Sequence, residues 1–193
     1  MPYSRSPLNQ VAKKDKYDRI LGFIWFSKGK MLNLNMVIIF SKIISGGQTG
    51  VDRAALDVAL ELGIPCGGWC PNGRKAEDGP IDLKYPLKET LSPNYPHRTE
   101  KNVREADGTL VLTKGPVSGG TALTVQLAIE YKKPYLIIDL DNKIHPLIAR
   151  EWGEKNNIEI LNVAGLSENK VPGIHDQAAQ FLKELLGRAV SDE

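Results

Sequence analysis

The chain has 193 residues, 41% hydrophobic and 25% charged, the balance of an ordinary globular protein long enough to bury one substantial core. A formal charge of +2 is too small to argue for a nucleic-acid partner, and the apolar run Leu21–Phe26 is too short to span a bilayer. The two cysteines, Cys66 and Cys70, make no disulfide framework and point to a reducing, cytoplasmic setting with buried thiols.

Residues 1–35 are unlike the rest, with Lys13, Lys14, Asp15, Lys16, Asp18 and Arg19 crowded together. They are expected to be either an appended, disordered arm or a mis-started translation upstream of Met31 or Met36. Residues 36–193 then form a single α/β domain. The first strand runs through Lys42–Ser45 and feeds a helix over Val51–Leu62, where Ala54, Ala55, Val58, Ala59 and Leu62 share a face. Gly63 and Pro65 stop that helix. A short strand, Ile64–Trp69, opens into a long loop over Cys70–Pro96, a length that marks it as covering a site. A helix over Thr99–Ala106, with Thr99 as its N-cap, leads to a strand at Gly108–Thr113. A third helix follows Thr121. Then come a strand at Tyr135–Leu140, a helix over Ile144–Asn156, a strand at Ile158–Val163 and a helix over Ile174–Leu186.

Strands alternating with helices imply parallel βαβ units, hence a three-layer α/β fold around a mainly parallel sheet of five strands or slightly more. Such sheets bind ligands beyond the carboxyl ends of their strands. Three glycine-bearing loops end there, after the first, second and third strands, with Ala164-Gly165 after the fifth as a further candidate. The two cradle candidates are Gly46, Gly47, Gln48, Thr49 and Gly50 after the first strand, and Ser118, Gly119, Gly120 and Thr121 after the third. Backbone amides of such loops, with the first N–H groups of the following helix, favour an anion. Thr49 and Thr121 either add a hydroxyl to that anion or cap their helices. The first loop reads G-G-Q-T-G, lacking both G-x-G-x-x-G and the Lys-Ser/Thr of a P-loop, which disfavours the common NAD and ATP enzymes.

The stretches Ile43–Asp57 (IISGGQTGVDRAALD), Gly67–Ile81 (GGWCPNGRKAEDGPI), Arg98–Leu112 (RTEKNVREADGTLVL), Gly119–Val125 (GGTALTV) and Leu161–Gly165 (LNVAG) closely resemble the molybdenum carrier, or molybdenum-cofactor carrier, family. The resemblance covers nearly all of 42–186 and none of the arm. It implies a Rossmann-like fold, related to the LONELY GUY-type phosphoribohydrolases, and a homo-oligomer that binds and protects molybdenum cofactor on its way to molybdoenzymes. That cofactor is a pterin with one phosphate and a molybdenum oxo centre, suited to a glycine cradle and to amide, hydroxyl or guanidinium donors. The cations at hand are Arg53, Arg74, Lys75, Arg98 and Arg104, and Arg74 and Lys75 in the long loop are expected to reach the ligand. Glu77 and Asp78 are expected to pair with those two, and Trp69 either stacks on a pterin or packs in a core or interface.

The enzymatic relatives carry P-G-G-x-G-T-x-x-E at the third-strand loop. Here Gln126 stands at the final position, and glutamine cannot ionise. His97, His145 and His175 show no metal or triad spacing, so no catalytic or metal-ligating residue is assigned. The sequence therefore reads as a carrier of a phosphate- or oxyanion-bearing small molecule. A nucleotide-processing hydrolase using Asp52, Glu77 or Asp78, and a non-catalytic nucleotide-derivative sensor, are the alternatives.

Overall fold

The structure, a computed structural model, describes residues 40–187. The expected arm over residues 1–35 lies outside them. Five parallel strands form the main sheet: β1 (Lys42–Ile44), β2 (Cys66–Gly67), β3 (Gly108–Thr113), β4 (Tyr135–Asp139) and β5 (Ile160–Gly165). Their order is β2-β1-β5-β3-β4, so the last strand in the sequence is central in space. If β5 were counted as the first strand, the order would read 3-2-1-4-5, the doubly wound arrangement whose ligand crevice opens where the strand order reverses. That crevice falls here at the carboxyl ends of β5 and β3.

Helices α1 (Val51–Glu61), α2 (Tyr95–Glu105), α3 (Gly119–Glu130), α4 (Leu147–Lys155) and α5 (Ile174–Leu186) cover both faces. Side chains alternate across β3: Leu110 and Leu112 join one core and Val111 the other. The larger core holds Ala54, Ala55 and Val58 of α1, Ile148 of α4, and Ala178, Leu182 and Leu185 of α5. The opposite core contains Val103 of α2 with Val125 and Ala128 of α3. The resulting three layers and five-stranded parallel sheet are the architecture that the alternating pattern implies.

Several boundaries differ from the sequence reading. Helix α2 begins at Tyr95, because Pro96 is pre-set for a first helical turn. Thr99 is therefore interior rather than a cap, and its hydroxyl donates to Tyr95 O at 3.1 Å. Helix α4 starts only at Leu147, with Pro146 as its N-cap residue. The expected strand over Ile64–Trp69 is two pieces, since Trp69–Cys70 leaves the main sheet to pair with Lys88–Glu89.

The segment that follows is a folded cap rather than an open loop. It contains a short antiparallel pair, Lys75–Ala76 with Gly79–Pro80. Ala76, Ile81, Tyr85 and Leu87 bury against Leu56 of α1 and Cys70. Arg74 holds its centre: Nε donates to Ile81 O (2.8 Å), Nη1 to Leu87 O (3.2 Å), and Nη2 to Asp82 O (2.8 Å) and Tyr85 O (2.9 Å). One guanidinium thereby satisfies carbonyls that a strand ladder would otherwise have paired.

Candidate functional site

A cavity of about 370 Å³ opens at the carboxyl ends of β1, β5 and β3. Gln48 and Asp52 enter it from the first glycine loop and α1, Tyr95 and Arg98 from α2, and Gly119–Thr121 from the start of α3. Ala164, Gly165, Ser167 and Lys170 come from β5 and the connection after it, and Glu77 reaches in from the cap.

The two glycine loops play different parts. The first is covered. A Cβ on Gly46 would lie 1.9 Å from Arg98 Nη1, so the guanidinium rests directly on the backbone there. Gly47 has φ +73° and a Cβ would meet Leu87 Cδ1 of the cap at 2.5 Å, which excludes a side chain on both conformational and packing grounds. Gly50 is closed over by Leu166 O and the amide of Glu168. The second loop is open. Ser118, Gly119 and Gly120 are exposed, and nothing lies within 4 Å of where a Cβ on Gly120 would be. The amides of Thr121 and Ala122 donate to Ser118 O at 3.2 and 3.3 Å, so the amides of Gly119 and Gly120 are the ones that present a partial positive charge at the head of α3.

Both threonines are engaged within the protein. Thr49 Oγ1 donates to Glu77 Oε2 at 2.9 Å and accepts from the Glu168 amide at 3.3 Å. Thr121 Oγ1 donates to Gly165 O at 3.2 Å, joining α3 to β5. Gln48 is oriented by its neighbours: Oε1 accepts from the amides of Thr49 and Glu77, both at 2.9 Å. Two donors on Oε1 settle which way the side-chain amide faces, leaving its NH2 group as the end without a partner in this cavity wall.

The cations are arranged differently from the sequence expectation. Arg74 is enclosed by the cap carbonyls, Lys75 lies 5.8 Å from the Tyr95 ring centre, and neither side chain lines the cavity. Arg53 pairs in a two-pronged fashion with Asp78, and Arg104 pairs with Glu100 on its own helix at 3.5 Å. Asp78 therefore partners Arg53 rather than Arg74 or Lys75, and Glu77 is held by the hydroxyls of Thr49 and Ser167. The cations in the cavity wall are Arg98 and Lys170. Lys170 Nζ sits 3.2 Å from where a Cβ on Gly119 would be, so an ammonium faces the positive end of α3. Two like-signed groups converging on one open space favour an anion between them. Nothing in the local sequence marks Lys170; the insertion of β5 between β1 and β3 puts it there.

Arg98 is fixed by Asp52, with Nη1 3.0 Å from Oδ2 and side chains only 13% and 5% exposed. Burial pushes the Asp52 carboxyl above its ordinary range, and Arg98, with the amides of Gln48 and Gly165, opposes that rise. Trp69 lies outside the cavity wall: its Nε1 donates to Glu105 at 2.7 Å and Lys101 covers its ring. The aromatic residue in the wall is Tyr95. Gln126 is exposed on α3 and outside the cavity, so its lack of charge has no direct bearing on chemistry there. His97 and His145 are exposed, while His175 binds Asp57 at a separate cluster. Cys66 and Cys70 are unpaired, and burial raises both thiols. Among the described residues no cluster of side chains is fit to hold a metal ion, and no helix is long and apolar enough to cross a membrane.

A doubly wound sheet with its central strand last, and a polar cavity at the switch point, define a rearranged Rossmann-like fold. The chain belongs to the circularly permutated YpsA SLOG family, whose model matches residues 43–186. It is also similar to a crystallised protein from Syntrophus aciditrophicus SB named "Putative molybdenum carrier protein", at 46% identity and a TM-score of 0.73, over 77% of this chain and 96% of that one. No curated protein matches the chain.

Proposed function

We propose that this protein binds and carries molybdenum cofactor, or a related phosphate-bearing pterin or oxyanion ligand, in the cavity at the switch point. The observation that carries this reading is the open N-terminus of α3 at Gly119 and Gly120, faced by Lys170 and sharing a cavity with the half-buried Arg98. A phosphate suits that end of the site, where helix amides and an ammonium act together. At about 370 Å³ the cavity has the size of a small-molecule pocket and is far larger than a bare oxyanion needs. Tyr95 supplies a flat face for a ring system, and the NH2 of Gln48 a donor for a carbonyl or oxo group. The name of the Syntrophus relative supports a molybdenum-bearing ligand. On this reading the protein acts in the cytoplasm, as a homo-oligomer, and hands its ligand to molybdoenzymes.

Asp52 and Glu77 favour a second reading, a nucleotide-processing hydrolase, because two carboxylates share the cavity with the anion site. One experiment separates the two. Protein purified from molybdenum-replete cells is analysed by mass spectrometry for a bound pterin phosphate, and the same preparation is incubated with nucleoside monophosphates. A bound pterin without release of free base or phosphate supports carriage. Multiple turnover above a heat-killed control overturns carriage and establishes the hydrolase.

A further inference from the structure

The pair formed by Asp52 and Arg98 is incompletely satisfied. The two charges stand 3.0 Å apart in the cavity wall. Yet Asp52 Oδ2 accepts no well-directed hydrogen bond, and Arg98 Nε donates none, although both atoms are buried. The contact is held by charge, without the paired hydrogen bonds that make a buried Arg–carboxylate bridge strong. Arg98 also rests on the Cα of Gly46, so it cannot withdraw further into the protein to improve that geometry. Arg98 lines the same cavity as the open end of α3 and Lys170, within which an arriving anion would meet it.

Such an anion changes the surroundings of Asp52 in two ways. It competes for Arg98, and it brings a like charge towards a buried carboxylate. Each favours the neutral carboxylic acid. Besides Arg98, the other titratable groups facing this space are Glu77, Lys170 and Tyr95. Glu77 of the cap accepts hydroxyl hydrogen bonds from Thr49 and Ser167 at 2.9 and 3.0 Å. Lys170 comes from the β5–α5 connection and Tyr95 from α2. Burial, which already works against the Asp52 charge, points the same way.

We infer that the cavity takes up its anion together with one proton, and that Asp52 is the group that receives it. The inference rests on the reading of this cavity as an anion site. Proton-coupled binding would tie affinity to pH, so a carrier would hold its ligand more tightly in mildly acidic surroundings and release it as pH rises.

Sulfate is the probe, because it carries no titrating proton near neutrality. Isothermal titration at pH 7 in two buffers of different ionisation enthalpy should show uptake of about one proton per sulfate bound, with affinity falling up to about tenfold per pH unit. Asp52→Asn should bind sulfate with no uptake and no such pH dependence. As a measurement independent of that variant's folding, infrared difference spectra of the wild type should gain a protonated carboxyl band on adding sulfate. Sulfate bound without proton uptake, or without the carboxyl band, overturns the inference and leaves the anion site intact. Uptake that persists in folded Asp52→Asn overturns the assignment to Asp52. Failure of the wild type to bind sulfate removes the anion site and the inference together.

Discussion

Arg74 and Arg98 lie in matched stretches of sequence, and the structure gives them opposite employment. Arg74 turns inward, where its guanidinium is divided among the carbonyls of Ile81, Asp82, Tyr85 and Leu87. Replacing it by alanine leaves those acceptors without a charged donor. Arg74→Ala should therefore cost about 2–4 kcal/mol of stability, read by chemical denaturation, through loosening of the cap. Arg98 is one side of an ion pair in the cavity wall and rests on Gly46. Arg98→Lys keeps the charge beside Asp52 and loses the planar fork, so it should weaken binding of a phosphate-bearing ligand by about 1–2 kcal/mol with a small change in melting temperature. A titration in which Arg74→Ala abolishes binding in a protein of wild-type stability would reverse these assignments.

The elements that present the site are the two strand-to-helix loops, alike in composition and different in what covers them. At Gly47 the backbone is left-handed and the cap packs against it. Gly47→Val should destabilise by about 2–5 kcal/mol, combining backbone strain with overpacking, and be seen as loss of soluble protein or a lowered denaturation midpoint. At Gly120 nothing opposes a side chain on the protein's side. Gly120→Val should fold with a melting temperature close to the wild type and bind a phosphate-bearing ligand poorly, since its branched side chain would stand over the leading amides of α3. Unaltered affinity in a folded Gly120→Val protein would remove the cradle from the site.

The whole molecule is tied together, at some distance from the cavity, by Asp57 of α1. Its carboxylate accepts from Tyr85 of the cap at 2.8 Å, stands 3.2 Å from Lys84 Nζ, and meets His175 Nε2 of α5 at 3.2 Å. Burial alone would raise the Asp57 carboxyl, but the bonds from Tyr85, His175 and Lys84 outweigh it and the net shift is downward. Burial alone would likewise lower His175, but Asp176 and Asp57 outweigh it and the net shift is upward from 6.5. A raised histidine contributes fully below its unfolded value and loses that contribution as pH rises through the folded one. A depressed carboxylate contributes fully above its unfolded value, ordinarily 3.8, and fails as pH falls through the folded one. The cluster should therefore stabilise most between about pH 5 and 6. Melting temperatures from pH 5 to 9 should fall on the alkaline side for the wild type, and His175→Gln should reduce that fall. Parallel curves for the two proteins would show that the imidazole does not contribute.

How much of this was legible beforehand depends on the range of the interaction. Helices α1 and α5 and strand β3 were readable because their apolar residues recur at the period of the element, as Ala54, Ala55 and Val58 do on α1. The glycine loops were visible for the same local reason, and so was the parallel three-layer architecture, since strand and helix alternate along the chain. The resemblance carried by IISGGQTGVDRAALD and its companions then agreed with the family and the fold. What covers each loop was not local. Gly46 and Gly47 carry no mark of Arg98 or Leu87, which arrive from residues far along the chain. The order β2-β1-β5-β3-β4 decided which loops meet and put Lys170 beside Gly119, while the carbonyls of the cap kept Arg74 out of the cavity. Pattern along a chain records which face of an element is buried. Only the packing of those faces determines which side chains lie 3 Å apart across the sheet edge, and the chemistry of the cavity depends on that separation.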